Sequence, residues 1–344
     1  MTEKPEQAIL DFYTYPPIGG DDWRYTFETA QVRVLETQML TRATFLDVAN
    51  ADNFEQAADL LSASEYALPR QKYLTEMENI LLRRRTALRE LFGVLCLDKP
   101  IVKLFKTRDD FANLRLALRR TLTERPVGTD YSPDGNVSPE LFEEVFEQEN
   151  YQLFPDYMQE AVERAVLAFY QNKDVRQIDY AIDSMQAEHN LRKARQLRDI
   201  FLLGLFKIRI DLTNIRTMLR LKYTESEQRK VFLQGGYLEQ ERLEKGLDGG
   251  YESLGMLFFV TPYHRIVEAG ASYLMSNKSF LKTEQQCEQH LTGFLKTTVS
   301  ITAGPQPLVA YLLMKENEIR MVRLILTAKK NFLDTKLILD RIGE

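Results

Sequence analysis

One predicted helix carries an acid, an amide and a guanidinium, spaced so that they could act together in catalysis or ligand binding. In FKIRIDLTNIRTMLRLK, residues 206–222, Asp211 and Asn214 are three positions apart and share a helix face, and Arg216 lies on the adjacent stripe. In a buried cluster, such side chains could act as acid, base or ligands. They could equally bond to neighbouring helix ends and loops within a domain.

The same pattern occurs earlier in the chain. In FKTRDDFANLRLALRR, residues 105–120, an acid, an amide and an arginine lie 101 positions before those of the first stretch, together with matching Phe, Lys and Arg residues. The three corresponding residues are Asp110, Asn113 and Arg115. A match of this length at one register indicates an internal repeat.

A third copy follows in YLLMKENEIRMVRLILTAKK. There Glu318 and Arg323 lie 107 positions after Asp211 and Arg216 of the 206–222 stretch, which is the second copy in chain order, and Met321 stands at the amide position. A looser fourth candidate near the N-terminus has Glu28 five residues before Arg33. The shared pattern is an acid, three residues, an aliphatic residue and an arginine.

Repetition favours an architectural role for these residues. An active site is normally built once, in one cleft, whereas a packing device recurs with every copy of a unit. We therefore interpret the acids, amides and arginines of the three clear copies as structural polar residues, and we predict no catalytic, cofactor-binding or metal-binding residue. An enzyme whose site forms only in the fold remains a further alternative, and a concave pocket with converging carboxylates would support it.

Other chemical motifs are weak. The three histidines, His189, His264 and His290, show no zinc-binding spacing, and Cys96 and Cys287 show no catalytic-thiol motif. No phosphate-binding or dinucleotide-binding glycine pattern is present. These observations argue against a metalloenzyme and against a nucleotide-binding domain.

Composition and charge exclude several classes of protein. The chain has 344 residues, 45 Lys plus Arg and 50 Asp plus Glu, so it is mildly acidic and a poor candidate for binding nucleic acid. Two cysteines cannot form a disulfide scaffold, so we expect a reducing, cytoplasmic setting. The longest strongly apolar run, Leu254 to Val260, is far shorter than the roughly 20 residues that span a bilayer.

Helical periodicity dominates the chain and predicts an all-α protein of about fifteen helices or fewer. Residues 175–208 show one long helical pattern, which we expect to continue into the 206–222 stretch. A loop rich in Pro, Gly, Asp and Ser precedes a helix that we expect to be capped by Ser138. The best strand candidate is LKTTVSITA, residues 295–303.

The spacing of about a hundred residues predicts three similar domains. We assign 67–165 to the domain whose repeat helix lies around 105–120, and 166–269 to the one with its repeat helix around 206–222. The third joins 1–66 to 270–344, with its repeat helix around 313–328. Because the chain begins and ends partway through a unit, we expect both termini to share this permuted domain.

These stretches carry a family resemblance. The sequences IDLTNIRTMLRLK, KENEIRMVRLILTAKK followed by FLDTKLILDRI, and YTFETAQVRVLETQMLTRATFLDVANADNFEQAADLLSASEY resemble signatures of the C subunits of the vacuolar-type and archaeal-type (V/A-type) rotary ATPases, whose eukaryotic relative is the d subunit of the V-ATPase. The likeness runs from about Arg24 to Glu344. The arm before Arg24 is longer than in that family, and residues 127–155 form an extended acidic loop.

The resemblance implies a funnel-like, all-helical protein with pseudo-threefold symmetry and no catalytic activity. Such a protein sits on the cytoplasmic side, on the membrane proteolipid rotor ring, and holds the central shaft formed by the D and F subunits. ATP hydrolysis on the A and B subunits turns the shaft, and the C subunit passes the torque to the ring. The alternative is a helical scaffold or adaptor, outside any rotary motor, that binds partner helices.

Overall fold

The computed structural model describes residues 15–343 apart from 70–73, 127, 227, 229 and 230. In this part of the chain the protein is entirely helical and contains no strand, which confirms the predicted all-α class. The described residues form fifteen α-helices and four short 3₁₀ helices. The N-terminal arm before Tyr15, and part of the predicted extended loop, lie outside these residues.

The α-helices are, in chain order, α1 Thr26–Glu36, α2 Arg42–Asn50, α3 Phe54–Leu60, α4 Leu74–Leu95, α5 Lys99–Leu122, α6 Pro139–Glu147, α7 Asp156–Asn172, α8 Arg176–Leu197, α9 Ile200–Tyr223, α10 Gln240–Asp248, α11 Leu254–Phe258, α12 His264–Asn277, α13 Leu281–Lys296, α14 Pro305–Lys330 and α15 Thr335–Ile342. The 3₁₀ helices are Trp23–Tyr25, Tyr151–Leu153, Tyr251–Ser253 and Thr297–Ser300.

The chain divides into two compact units. One comprises Met1–Leu97 and Lys245–Glu344, and the other is Asp98–Glu244. The division into three domains, the threefold symmetry and the funnel-like form stay predictions.

The unit Asp98–Glu244 is built from long helices that pack side by side. Helix α8 contacts α5, α7 and α9, and a core of large apolar side chains fills the space between α5, α6, α7 and α8. Phe111, Phe142 and Met158 are completely buried in this core. Ser138 accepts a hydrogen bond from the backbone N–H of Leu141, which confirms the predicted N-cap of α6.

The expected continuous helix from residue 175 through the 206–222 stretch is wrong. Arg198 adopts a left-handed conformation, with φ of 54°, and ends α8. Asp199 then accepts a hydrogen bond of 2.9 Å from the backbone N–H of Leu202 and caps the start of α9. The apolar periodicity continues across this break, so periodicity alone did not reveal it.

In the other unit, α14 is the central helix. It contacts α1, α2, α3, α4, α13 and α15, and most of its residues are buried. Pro305 occupies its first turn, where a missing N–H costs nothing. The buried residues of α14 include the charged side chains Lys315, Glu318 and Lys329, which require partners inside the fold.

The strand expected at 295–303 is also wrong. This segment contains the end of α13 and the 3₁₀ helix Thr297–Ser300. The hydroxyl groups of Thr297, Thr298 and Ser300 each donate to the backbone carbonyl three residues earlier, at distances of 2.6, 2.8 and 3.0 Å. The Thr and Ser residues of this segment therefore bond within a helical turn instead of forming a strand.

Candidate functional site

Asp211 and Asn214 project from α9 and hold a loop that leads to α10. The Asp211 carboxylate accepts hydrogen bonds of 3.0 Å from the backbone N–H groups of both Tyr237 and Leu238. The Asn214 side chain bonds both backbone groups of Leu233: its Nδ2 donates to the carbonyl at 2.9 Å, and its Oδ1 accepts from the N–H at 2.8 Å. Both side chains are buried, so the loop supplies partners that these polar groups need inside the fold.

Asp110 and Asn113 of α5 make the same bonds to the loop that leads to α6. Asp110 Oδ1 accepts from the backbone N–H groups of Asn136 and Val137, at 2.7 and 3.0 Å. Asn113 bonds the carbonyl and the N–H of Ser132, both at 2.9 Å. Every partner here lies 101 residues before its counterpart in the second copy, so the repeat extends through the loop.

Asp110 has a further partner from a third helix. The hydroxyl of Tyr157, on α7, donates to Asp110 Oδ2 at 2.7 Å. Burial and the neighbouring carboxylate raise the pKa of Tyr157, so the hydroxyl stays protonated and remains a donor. The ring of Tyr157 packs against His189, with 4.5 Å between centroids, and burial lowers the pKa of His189 to about 4.

A glycine allows each aspartate to approach its loop. A Cβ atom added to Gly135 would lie 2.3 Å from Asp110 Oδ1, and one added to Gly236 would lie 2.0 Å from Asp211 Oδ1. Neither distance is possible for a side chain with a Cβ in the present geometry. Glycine is thus required for close packing of the loop against the carboxylate.

The third copy uses a different segment of the chain. Glu318 of α14 accepts hydrogen bonds of 2.7 Å from the backbone N–H of Leu40 and from the hydroxyl of Tyr66. The buried ammonium of Lys315 pairs with the same carboxylate and also with Glu65. The third acid therefore bonds residues that lie near the other end of the sequence.

The residues that donate their N–H groups occupy equivalent places. Val137, Leu238 and Leu40 each lie two residues before the first residue of a short helix: α6, α10 and α2, respectively. In the first two copies the short helix follows the repeat helix in the sequence. In the third copy the short helix, α2, lies near the start of the chain, far before the repeat helix α14. Gln38 stands two residues before Leu40, where the other copies have glycine. The longer Glu318 side chain suits a segment without that glycine.

Arg115 and Arg323 pair with acids on long helices. Arg115 bonds Asp183, and its Nε lies 3.7 Å from Asp179 Oδ1, both on α8. Arg323 Nε lies 3.0 Å from Glu78 Oε2, on α4. Glu78 and Asp179 are themselves 101 residues apart, so α4 and α8 continue the repeat register.

The remaining predicted residues differ in their surroundings. Arg216 is half-buried on α9, and Met321 is 7% exposed at the position where the other copies have asparagine. Arg33, from the looser fourth candidate, donates to the backbone carbonyls of Thr298 and Ile301, at 2.6 and 3.2 Å. It thereby holds the turn after α13 rather than an acid on a neighbouring helix.

These carboxylates accept hydrogen bonds that join loops to helices. Such bonds to ionised acceptors are among the stronger hydrogen bonds in proteins. Within the ranges that the structure describes, no group of three or more His, Cys, Asp or Glu side chains is arranged to hold a metal ion. The geometry supports the architectural interpretation, which stays a prediction until the variants described below are measured.

Our interpretation of the sequence did not include several residues that complete the site. Tyr66 and Tyr157 donate to acids from distant parts of the chain, and no local pattern identifies them. Gly135 and Gly236 could have been found, because each lies 25 residues after its aspartate at the same repeat offset. Extending the alignment into the loops would have revealed this pair.

The family model described as ATP synthase (C/AC39) subunit matches residues 29–341. The chain belongs to the ATP synthase (C/AC39) subunit family. The resemblance to the C subunits of V/A-type ATPases is thereby confirmed. The matched region of this C/AC39 protein includes all three clear copies of the repeat helix.

The chain is also similar to the C subunit of the V-type sodium ATPase of Enterococcus hirae. The two are 22% identical over 322 residues, which cover 91% of this chain and 96% of that protein. The similarity therefore extends over nearly the whole of both sequences. In the described ranges of this C/AC39 protein, no helix is both long enough and apolar enough to cross a bilayer.

Proposed function

We propose that this C/AC39 protein is a non-catalytic rotor subunit of a V/A-type ATPase. It joins the central shaft, formed by the D and F subunits, to the membrane proteolipid ring and transmits torque between them. It lies on the cytoplasmic side of the membrane as a peripheral part of the complex. The motor uses this coupling for ion transport or for ATP synthesis.

The family match over residues 29–341 is the observation that carries the proposal. The relative from Enterococcus hirae, matched along 96% of its length, is the C subunit of a V-type sodium ATPase. Coverage of this extent supports a role for the whole chain, rather than for one shared module.

The internal contacts suit a protein that must bear load. Densely packed helices resist deformation, and a coupling element needs stiffness more than it needs reactive groups. Asp110, Asp211 and Glu318 have buried carboxylates, which join loops to the long helices through charge-assisted hydrogen bonds. These bonds limit the sliding of one element past another under torque.

Binding to the purified D–F pair tests the proposal. We expect the full chain to form a stable complex with D–F, and the ternary mixture with the proteolipid ring to sediment as one particle. We further expect mainly polar contacts with the shaft, so the affinity for D–F should fall as the ionic strength rises. Failure to bind both D–F and the ring would favour the alternative of a helical adaptor outside rotary motors.

A further inference from the structure

A cavity of about 440 Å³ lies beside the third repeat carboxylate. It opens to solvent and is lined by α2, α13, α14 and α15, and Glu318 lies in one wall. Its volume falls in the range of roughly 300–1,000 Å³ that is typical of small-molecule sites. The role proposed above does not use this space.

Large apolar side chains form part of the cavity wall. Met39, Phe45, Leu46, Met314 and Met321 line it. Met321 stands where the first two copies have an asparagine that bonds a loop, so the third copy offers an apolar surface at this position. Methionine side chains adapt to ligands of irregular shape because they are unbranched and flexible.

The anionic groups at the cavity already have partners. Glu288 pairs with Arg341 at 2.7 Å and with Arg320 at 2.5 Å. Glu318 accepts hydrogen bonds from Leu40 and Tyr66 and pairs with a lysine, as described above. Their negative charge is therefore balanced within the fold.

Two cationic groups at the cavity have no such balance. Arg42 donates to the backbone carbonyl of Gly343 at 3.0 Å, which fixes the guanidinium at the rim. Lys296, at the end of α13, lines the same cavity and is exposed. Neither forms an ion pair with a carboxylate of the described residues, so among those residues the uncompensated charges that line the cavity are positive.

We propose that this cavity binds a small amphiphile with an anionic head group. Arg42 and Lys296 hold the head group, and the methionine-rich wall receives the apolar body. A carboxylate, a phosphate or a sulfonate can supply the charge. The proposal concerns this unit alone and does not rest on the rotor role.

Isothermal titration of the full chain tests the proposal, with decanoate as the probe at a concentration below its micelle threshold. We expect one molecule to bind per chain. The Arg42→Gln/Lys296→Gln variant should bind at least about tenfold more weakly, because two charge-assisted contacts are lost. Decylammonium has a similar body and the opposite charge, and its binding should be weaker by at least about the same factor.

The matched control is Arg83→Gln/Lys336→Gln, which removes two exposed cations away from the cavity and should leave decanoate affinity unchanged. Leu46→Trp should block binding by filling the cavity. Circular dichroism checks the fold of each variant. If Leu46→Trp does not fold, decanoate binding by the Arg42→Gln/Lys296→Gln variant, whose substituted residues are exposed, tests the proposal instead.

One further probe identifies the source of the head group. Tighter binding of dioctanoyl phosphatidic acid than of decanoate indicates a lipid head group, and the reverse indicates a free carboxylic acid. The proposal is overturned if decanoate does not bind, if the Arg42→Gln/Lys296→Gln variant binds it equally well, or if inorganic phosphate alone binds as tightly as decanoate.

Discussion

The carboxylate of Glu318 accepts a hydrogen bond of 2.7 Å from the backbone N–H of Leu40, which lies 278 residues earlier in the chain. The equivalent acids, Asp110 and Asp211, accept their backbone hydrogen bonds from residues 26 and 27 positions later. One local arrangement is thus made twice within a continuous segment and once between the two ends of the sequence. Residues near the N-terminus thereby complete the surroundings of the last repeat helix.

Glu318 should therefore contribute strongly to stability. Glu318→Gln leaves the buried Lys315 with a weaker set of partners and alters the bonds to Leu40 and Tyr66. We expect a loss of about 3 kcal/mol in the free energy of unfolding, measured with urea. Glu188→Gln, which removes an exposed ion pair with Arg164, should change it by less than about 1 kcal/mol. Equal effects of the two substitutions would contradict the assigned role of Glu318.

Gly236→Ala tests the close approach of loop and carboxylate. The new Cβ would lie 2.0 Å from Asp211 Oδ1, so the loop must move and weaken the bonds to Tyr237 and Leu238. We expect a destabilisation of about 2 kcal/mol or more in urea unfolding.

Gly93→Ala is the matched control for this substitution. Gly93 lies within α4, and a Cβ added there meets nothing within 4 Å. Alanine should stabilise the protein by about 0.5–1 kcal/mol through its higher helix propensity. A neutral Gly236→Ala variant would show that the loop is not held as tightly as the structure indicates.

Asn214 should contribute more to stability than Met321, which occupies the aligned position in the third copy. Asn214→Leu leaves the half-buried N–H and carbonyl of Leu233 without their side-chain partner, and we expect a cost of about 2–4 kcal/mol. Met321→Leu, at the aligned position in α14, should cost less than about 1.5 kcal/mol because it exchanges one apolar side chain for another. Chemical denaturation of both variants gives the comparison directly.

Acidic pH should destabilise the fold through two histidines. Burial lowers the pKa of His189 and of His290 to about 4, from an ordinary value of 6.5. As the pH falls, these histidines therefore bind protons in the unfolded chain at a higher pH than in the folded chain. The contribution of these groups is fully present above about pH 6.5 and is lost as the pH falls towards 4.

Urea unfolding at pH 7.5 and pH 5 measures this loss. We expect each histidine to lower the free energy of unfolding by about 1–2 kcal/mol at pH 5 relative to pH 7.5, in addition to the effects of other groups. His189→Phe and His290→Phe should each reduce the pH dependence. An unchanged dependence in the double variant would show that both histidines can be protonated within the fold.

The sequence was sufficient to predict the helical class and the positions of the repeat helices, because apolar periodicity and a repeat 101 residues long are both visible in it. It did not reveal the break at Arg198, where a left-handed residue interrupts an otherwise continuous pattern. Nor did it reveal the tyrosines that bond Asp110 and Glu318, because those partners are brought together only by tertiary packing. The wrong strand at 295–303 arose from Thr and Ser residues whose hydroxyl groups satisfy their own helical turn.

The proposed coupling of shaft rotation to the membrane ring can be tested by removing this protein from the motor. Membranes that carry the complete ATPase can be depleted of this chain, and ATP hydrolysis and ion transport can then be measured on the same sample. We predict that hydrolysis continues, that ion transport is lost, and that purified chain restores transport. Transport that persists at its original rate per ATP hydrolysed, in membranes shown to lack the chain, would contradict the account.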